Sequence, residues 1–156
     1  MHQTRTDTDK TTRVGWREWV GLPALGVDRI KAKLDTGART SALDVESYEI
    51  FEQDGAHLVR FVMRYGTASK PKTKECVTPL REVRYVRDSG GHEHVRAVIK
   101  TPVSIGRLTR SIEVTLSKRS DMKFRMLIGR SAMKNLLIDP EHSYLTGKRK
   151  PPTSRT

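Results

Sequence analysis

From residue 29 to residue 34 the chain alternates basic and apolar side chains, Arg29, Lys31 and Lys33 against Ile30, Ala32 and Leu34. It then runs straight into Asp35-Thr36-Gly37-Ala38. A period of two marks a strand with one face in a core and the other in water. That strand delivers a carboxylate, a hydroxyl and a glycine onto one tight turn. The carboxylate can take a proton from water, and the hydroxyl can brace the turn by hydrogen bonding. Glycine admits a backbone approach that a Cβ would block. An isolated Asp-Thr-Gly is more often a structural turn in which the aspartate accepts backbone hydrogen bonds. The motif therefore needs support from elsewhere in the chain.

The remaining sequence reads as short strands broken by turns. Residues 48–51 and 57–64 flank Asp54-Gly55, a hairpin signal. Residues 68–75 read as an exposed loop, and 76–86 as extended chain interrupted at Pro79. A turn at 88–91 precedes a strand at 95–99, and 103–105 and 111–116 form a hairpin around Gly106. The apolar run 124–128 stops at Gly129. Residues 130–136 lack Gly and Pro and predict one short helix of about two turns. Residues 136–138 end at Asp139-Pro140, and a last short strand includes Tyr144 and Leu145. Frequent turns between short strands predict an all-β barrel or sandwich.

A length of 156 residues suits one domain. Hydrophobic residues make up 35% and charged residues 31%, and the apolar shortfall sits at the two ends. Residues 1–12 and 147–156 read as disordered tails around a domain spanning 13–146. The net charge is +12. In the first twelve residues Arg5 and Lys10 balance Asp7 and Asp9, and the last ten add Lys148, Arg149, Lys150 and Arg155, which leaves +8 on the domain. Such a field attracts nucleic acid, an anionic membrane or an acidic peptide. Cys76 is the one cysteine, so no intrachain disulfide can form. It reads as a structural thiol in a reducing compartment. Neither a signal peptide nor a membrane-spanning run is visible, and the expected location is cytoplasmic with no membrane partner.

A second motif supports the first. Met126-Leu127-Ile128-Gly129-Arg130 lies about ninety residues after Asp35 and joins an apolar strand to the helix candidate. The pair, in this order, resembles the retropepsin family of aspartic proteases. In that family an Asp-Thr-Gly-Ala loop is followed by a flap hairpin, then by a strand with two apolar residues and a glycine, often continuing with arginine. Residues 84–95, centred on Gly90-Gly91, fall where the flap would lie. The resemblance implies a closed, six-stranded-type acid-protease barrel.

Residues 14–23 and 31–43 resemble more closely a bacterial family labelled ATP-dependent zinc protease. That family accompanies RimK-type ATP-grasp ligases, which add glutamates to protein tails. The label is not matched by ligands. A zinc protease of the common type carries two histidines four apart on a helix with a glutamate between them. His92-Glu93-His94 is too short, and Arg96 stands where the second ligand would be. The chain also lacks a Walker-type phosphate loop. No metal or cofactor is expected, and His92 and His94 read as solvated loop residues.

Carboxylate-driven peptide hydrolysis needs two acids sharing one proton. One Asp-Thr-Gly is present, so the second aspartate is expected from an identical subunit across a twofold axis. The resemblance implies Asp35, Thr36 and Gly37 as catalytic-loop residues, and Ala38, Arg39, Arg130, Gly90 and Gly91 as substrate-binding ones. It also implies that Leu127, Ile128 and Gly129 pack beneath the loop. Retroviral members usually carry an acid where Arg39 stands, paired with the arginine equivalent to Arg130. Asp44 is a candidate replacement partner. Arg39 suits a substrate carboxylate, and the expected substrate is an acidic or glutamate-modified protein tail, with a RimK-system or ribosome association. Trp16 and Trp19 read as packing an N-terminal segment onto the barrel, and Lys148-Arg149-Lys150 as a solvated tail able to touch a ribosome or RNA. The alternative is a non-catalytic module of the same fold that holds acidic peptides or RNA; aromatic residues, at 6%, offer little for base stacking.

Overall fold

The computed structural model describes residues 11–87, 90–118 and 123–146. Both expected tails lie outside them, apart from residue 11 and Thr12, which opens the first strand. Eleven strands follow in order: β1 (Thr12–Gly15), β2 (Arg17–Leu22), β3 (Val27–Leu34), β4 (Ser41–Gln53), β5 (Ala56–Arg64), β6 (Thr73–Pro79), β7 (Glu82–Arg87), β8 (Glu93–Ile105), β9 (Leu108–Ser117), β10 (Met126–Ile128) and β11 (Leu136–Asp139). The all-β, retropepsin-like expectation holds.

Six of these strands close on themselves. β3 pairs β2, β2 pairs β8, β8 pairs β9, β9 pairs β4, and three-residue β10 joins β4 back to β3. Closure leaves no free edge within the ring. The interior is filled by one face of each strand. Ile30, Ala32 and Leu34 of β3 are buried, as are Leu22 and Val20 of β2 and Val114 and Leu116 of β9. Each of the Val, Leu and Ile side chains among them contributes about 1.5–3 kcal/mol on burial. The second half of β4 leaves the ring and pairs β5, which pairs β6. Asp54 and Gly55, both at positive φ (54° and 81°), make the predicted tight turn between β4 and β5.

Several local expectations are corrected. The two-turn helix over 130–136 is a single 3-10 turn, Arg130–Ala132. Asn135, at φ 64°, stops any continuation, and β11 claims Leu136 to pair with β1. The loop expected at 68–75 is shorter, because Thr73–Glu75 already belong to β6. No last strand forms at Tyr144, which sits at φ 55° and donates its amide to the Arg17 carbonyl. Leu145 and Thr146 instead donate their backbone N–H groups to the carboxylate of Glu18 at 2.7 and 3.1 Å. Glu18 is fully buried on β2 and also accepts from the Gly15 amide at 2.6 Å and the Thr146 hydroxyl at 2.8 Å. A buried carboxylate is tolerated when donors surround it in this way. Cys76 is buried as expected of a structural thiol, and desolvation pushes its pKa up. No helix among the described residues is long and apolar enough to cross a membrane.

Candidate active site

β3 and β4 both flank β10, so residues 35–40 must bridge across the end of β10 to connect them. This topology sets Asp35 against Ile128, at the end of β10, and Arg39 and Thr40 against Gly129. The loop is stitched down by backbone hydrogen bonds. The Asp35 amide donates to the Ile128 carbonyl at 2.8 Å, the Arg130 amide to the Ala38 carbonyl at 2.8 Å, and the Ser131 amide to the Arg39 carbonyl at 3.0 Å. Buried Ser41 accepts the Gly129 amide on its hydroxyl at 3.0 Å. A Cβ on Gly129 would lie 2.5 Å from the Thr40 carbonyl group, so only glycine lets the two segments approach this closely.

Asp35 is half-buried, and its Oδ1 accepts the Gly37 amide at 3.1 Å. The turn closes with the Ala38 amide on the Asp35 carbonyl at 3.1 Å. Thr36, Gly37 and Arg39 are exposed. Arg130 reaches back over the loop and donates from its guanidinium to the Thr36 carbonyl at 3.0 Å. Asp35, Thr36, Gly37, Ala38, Arg39 and Arg130 are thus gathered into one constellation. The Arg39 side chain makes no hydrogen bond or ion pair among the described residues, which leaves its guanidinium available to a ligand.

Asp44 is not the partner of Arg130. It is fully buried and bridges Arg64 at 3.0 Å and Arg125 at 2.8 Å. Its backbone amide is bound to the Arg125 carbonyl at 2.9 Å, so the residue ties β4 to the segment entering β10. Sequence reasoning missed this triad and the Ser41 anchor; neither has a signature beyond a polar residue on an apolar strand.

The hairpin expected at 84–95 is built by β7 and the first half of β8. β7 pairs β8 from Glu82↔Val98 to Arg87↔Glu93, and Gly90 and Gly91 lie at its exposed tip, with Gly91 at φ 86°. Residues 88 and 89 lie outside the described set. At the base, Arg81 and Arg84 each reach Glu113 of β9 at 3.2 Å. Arg84 first and then Arg81 hold the Glu113 carboxyl below its ordinary pKa. Tyr85 and Val95 face one another across the hairpin and are 68% and 49% exposed, an apolar pair open to solvent. His92 and His94 are exposed. Among the described residues no group of three or more His, Cys, Asp or Glu is placed to hold a metal ion.

Residues 13–149 match the family model for RimB-like proteins, described as retropepsin-like aspartic endopeptidase RimB. The chain belongs to the RimB-like family. A relative from Desulfotalea psychrophila, named probable alpha-L-glutamate ligase, is 38% identical over 128 residues, which is 81% of this chain and 28% of that protein. One of the same name from Shewanella pealeana is 34% identical over 143 residues, 91% of this chain and 31% of that one. The chain therefore spans less than a third of the length of these curated relatives. Among solved structures, a Legionella pneumophila protein of unknown function, Lpg0085, superposes with a TM-score of 0.69 at 26% identity, covering 86% of this chain and 98% of that one.

Proposed function

We propose that this chain is a homodimeric aspartic endopeptidase that cuts acidic or glutamate-modified protein tails in the cytoplasm. The observation that carries the reading is the Asp35 loop. A half-buried carboxylate sits on a turn fixed by β10 and by Arg130, and the chain has one such motif. A twofold axis beside the loop supplies the second carboxylate. The two cannot both ionise at hydrogen-bonding distance, so they hold one proton between them. The ionised member draws a proton from water as it attacks the scissile carbonyl, and the protonated member hydrogen-bonds the carbonyl oxygen. The tetrahedral intermediate collapses as a proton passes to the leaving amine. Thr36 hydrogen-bonds across the axis to lock the two loops, and the β7–β8 hairpin closes over substrate with Tyr85 and Val95 against it.

Dimerisation has a surface available. β1 and β11 form a separate two-stranded parallel sheet with Leu137 60% exposed. It lies next to the site, because the Leu34 amide donates to the Trp16 carbonyl just beyond β1 at 2.8 Å. Unpaired strand edges are ready places for a second copy to add. The preference for acidic substrate rests on free Arg39 and on the net positive charge. The relatives named as glutamate ligases contain this domain within much longer chains, which supports work in the same system as a RimK-type ligase.

Activity per chain should rise with protein concentration and level off where sedimentation velocity reports complete dimer. Full activity in a strict monomer would contradict the reading. A strict monomer that binds acidic peptides or RNA without cutting them would leave the non-catalytic module in its place.

A further inference from the structure

A pocket of about 320 Å³ lies on the outer face of the ring, between the β2–β3 pair and the loop joining β5 to β6. Trp19, Arg29, Tyr65, Thr67, Lys70 and Lys72 line it, with no acid among them. The loop is preformed. Tyr65 donates its amide to the Lys72 carbonyl at 3.0 Å, and Thr67 to the Lys70 carbonyl at 3.0 Å. A Cβ on Gly66 would lie 2.2 Å from the Lys70 carbonyl oxygen, so the turn is packed against itself. Arg29, Lys70 and Lys72 are exposed, and none forms an ion pair with an acid among the described residues.

Three cations built around two aromatic rings can serve either a nucleobase or a carboxylate. The geometry separates them. Trp19 already stacks on Tyr144 at 5.9 Å and carries Arg29 at 4.3 Å and Lys31 at 5.6 Å over its ring. Lys72 stands 5.8 Å over Tyr65. With its indole occupied, the pocket offers cationic heads rather than a bare stacking face. From it, outward-facing side chains repeat along β3: Arg29, then Lys31 and Lys33, with the strand ending one residue before Asp35. Alternate residues of an extended strand are roughly 6.6 Å apart. An extended peptide presents its same-side carboxylates at the same spacing, so the ladder matches an acidic chain in register. Arg29 to Asp35 spans six residues, roughly 20 Å.

We propose that this pocket and the Arg29–Lys31–Lys33 ladder are an exosite that holds the carboxylates of an acidic peptide remote from the cleaved bond. The idea rests on the proposed protease reading for the fate of the peptide, not for its binding. It makes recognition depend on length: a short peptide reaches Arg39 alone, whereas one at least about six residues longer also reaches the pocket.

The test uses the full chain carrying Asp35→Asn, with labelled oligoglutamates of about four and about twelve residues. Adding Arg29→Ala and Lys72→Ala, both on the surface, should weaken the long peptide at least roughly tenfold and leave the short one nearly unchanged. Binding of the long peptide should also weaken steeply with salt. Equal affinity of the long peptide for both proteins, with unchanged melting, overturns the exosite. So does loss of affinity for an RNA of matching length but not for the peptide. In protein with Asp35 intact, the double change should raise KM for the long peptide and spare cleavage of the short one. Length-dependent binding without any cleavage would retain the exosite and remove the protease reading; cleavage without length dependence would do the reverse.

Discussion

Asp35→Asn should abolish peptide hydrolysis, by at least about three orders of magnitude, while the protein keeps its melting temperature and its dimer. The reasoning is local. Asn keeps the side-chain oxygen that accepts the Gly37 amide, so the turn survives. What disappears is the ionisable pair: a dyad of two amides can neither take a proton from water nor return one to the leaving amine. The expected pattern is loss of turnover with substrate binding retained, measured by peptide cleavage beside equilibrium binding and thermal melting. Unchanged cleavage would end the protease reading. A collapse of melting temperature would mean that Asp35 serves the turn rather than chemistry.

The largest effect on stability should come from Asp44→Ala. Asp44 is fully buried, whereas Arg64 and Arg125 keep 25% and 23% of their side-chain surface in water. Removing the acid strands two guanidinium groups beside each other with no counter-charge. Breaking a buried pair costs about 3–5 kcal/mol, and the residual hydration of both arginines argues for the lower end. For a domain of this size about 3 kcal/mol corresponds to a fall of roughly 6–12 °C in Tm. Because Asp44 ties β4 to the segment leading into β10, the site should loosen as well. A melt shifted by only a degree or two would show that the triad is incidental.

The Asp35 loop was legible in the sequence because its parts are contiguous and its chemistry is unusual. Alternation along β3, the Asp54-Gly55 turn and the strand before Gly129 are local signals, and each appears where the pattern put it. The same logic fails on β2. No local signal marks Glu18, yet it is fully buried, and Trp19 stands on the outer face among cations. The reason is largely non-local: besides the nearby Gly15 amide, donors to Glu18 come from Leu145 and Thr146, more than 120 residues away. Asp44 was hidden for the same reason, since its partners lie on β5 and ahead of β10. The absent helix is a related case. Nothing near residue 130 forbids two turns, but β11 gains more by pairing with β1. Tertiary partners decide such positions, and a single sequence names none of them.

The central claim is that two chains build one active site, and subunit mixing tests it most directly. Wild-type chain is equilibrated with Asp35→Asn chain at constant total concentration, and cleavage is followed as the mutant fraction rises. If each site needs an ionisable pair from two subunits, activity falls as the square of the wild-type fraction and drops to about a quarter in an equal mixture. If activity instead falls in simple proportion, leaving about half, each chain carries a complete site of its own and the account is contradicted.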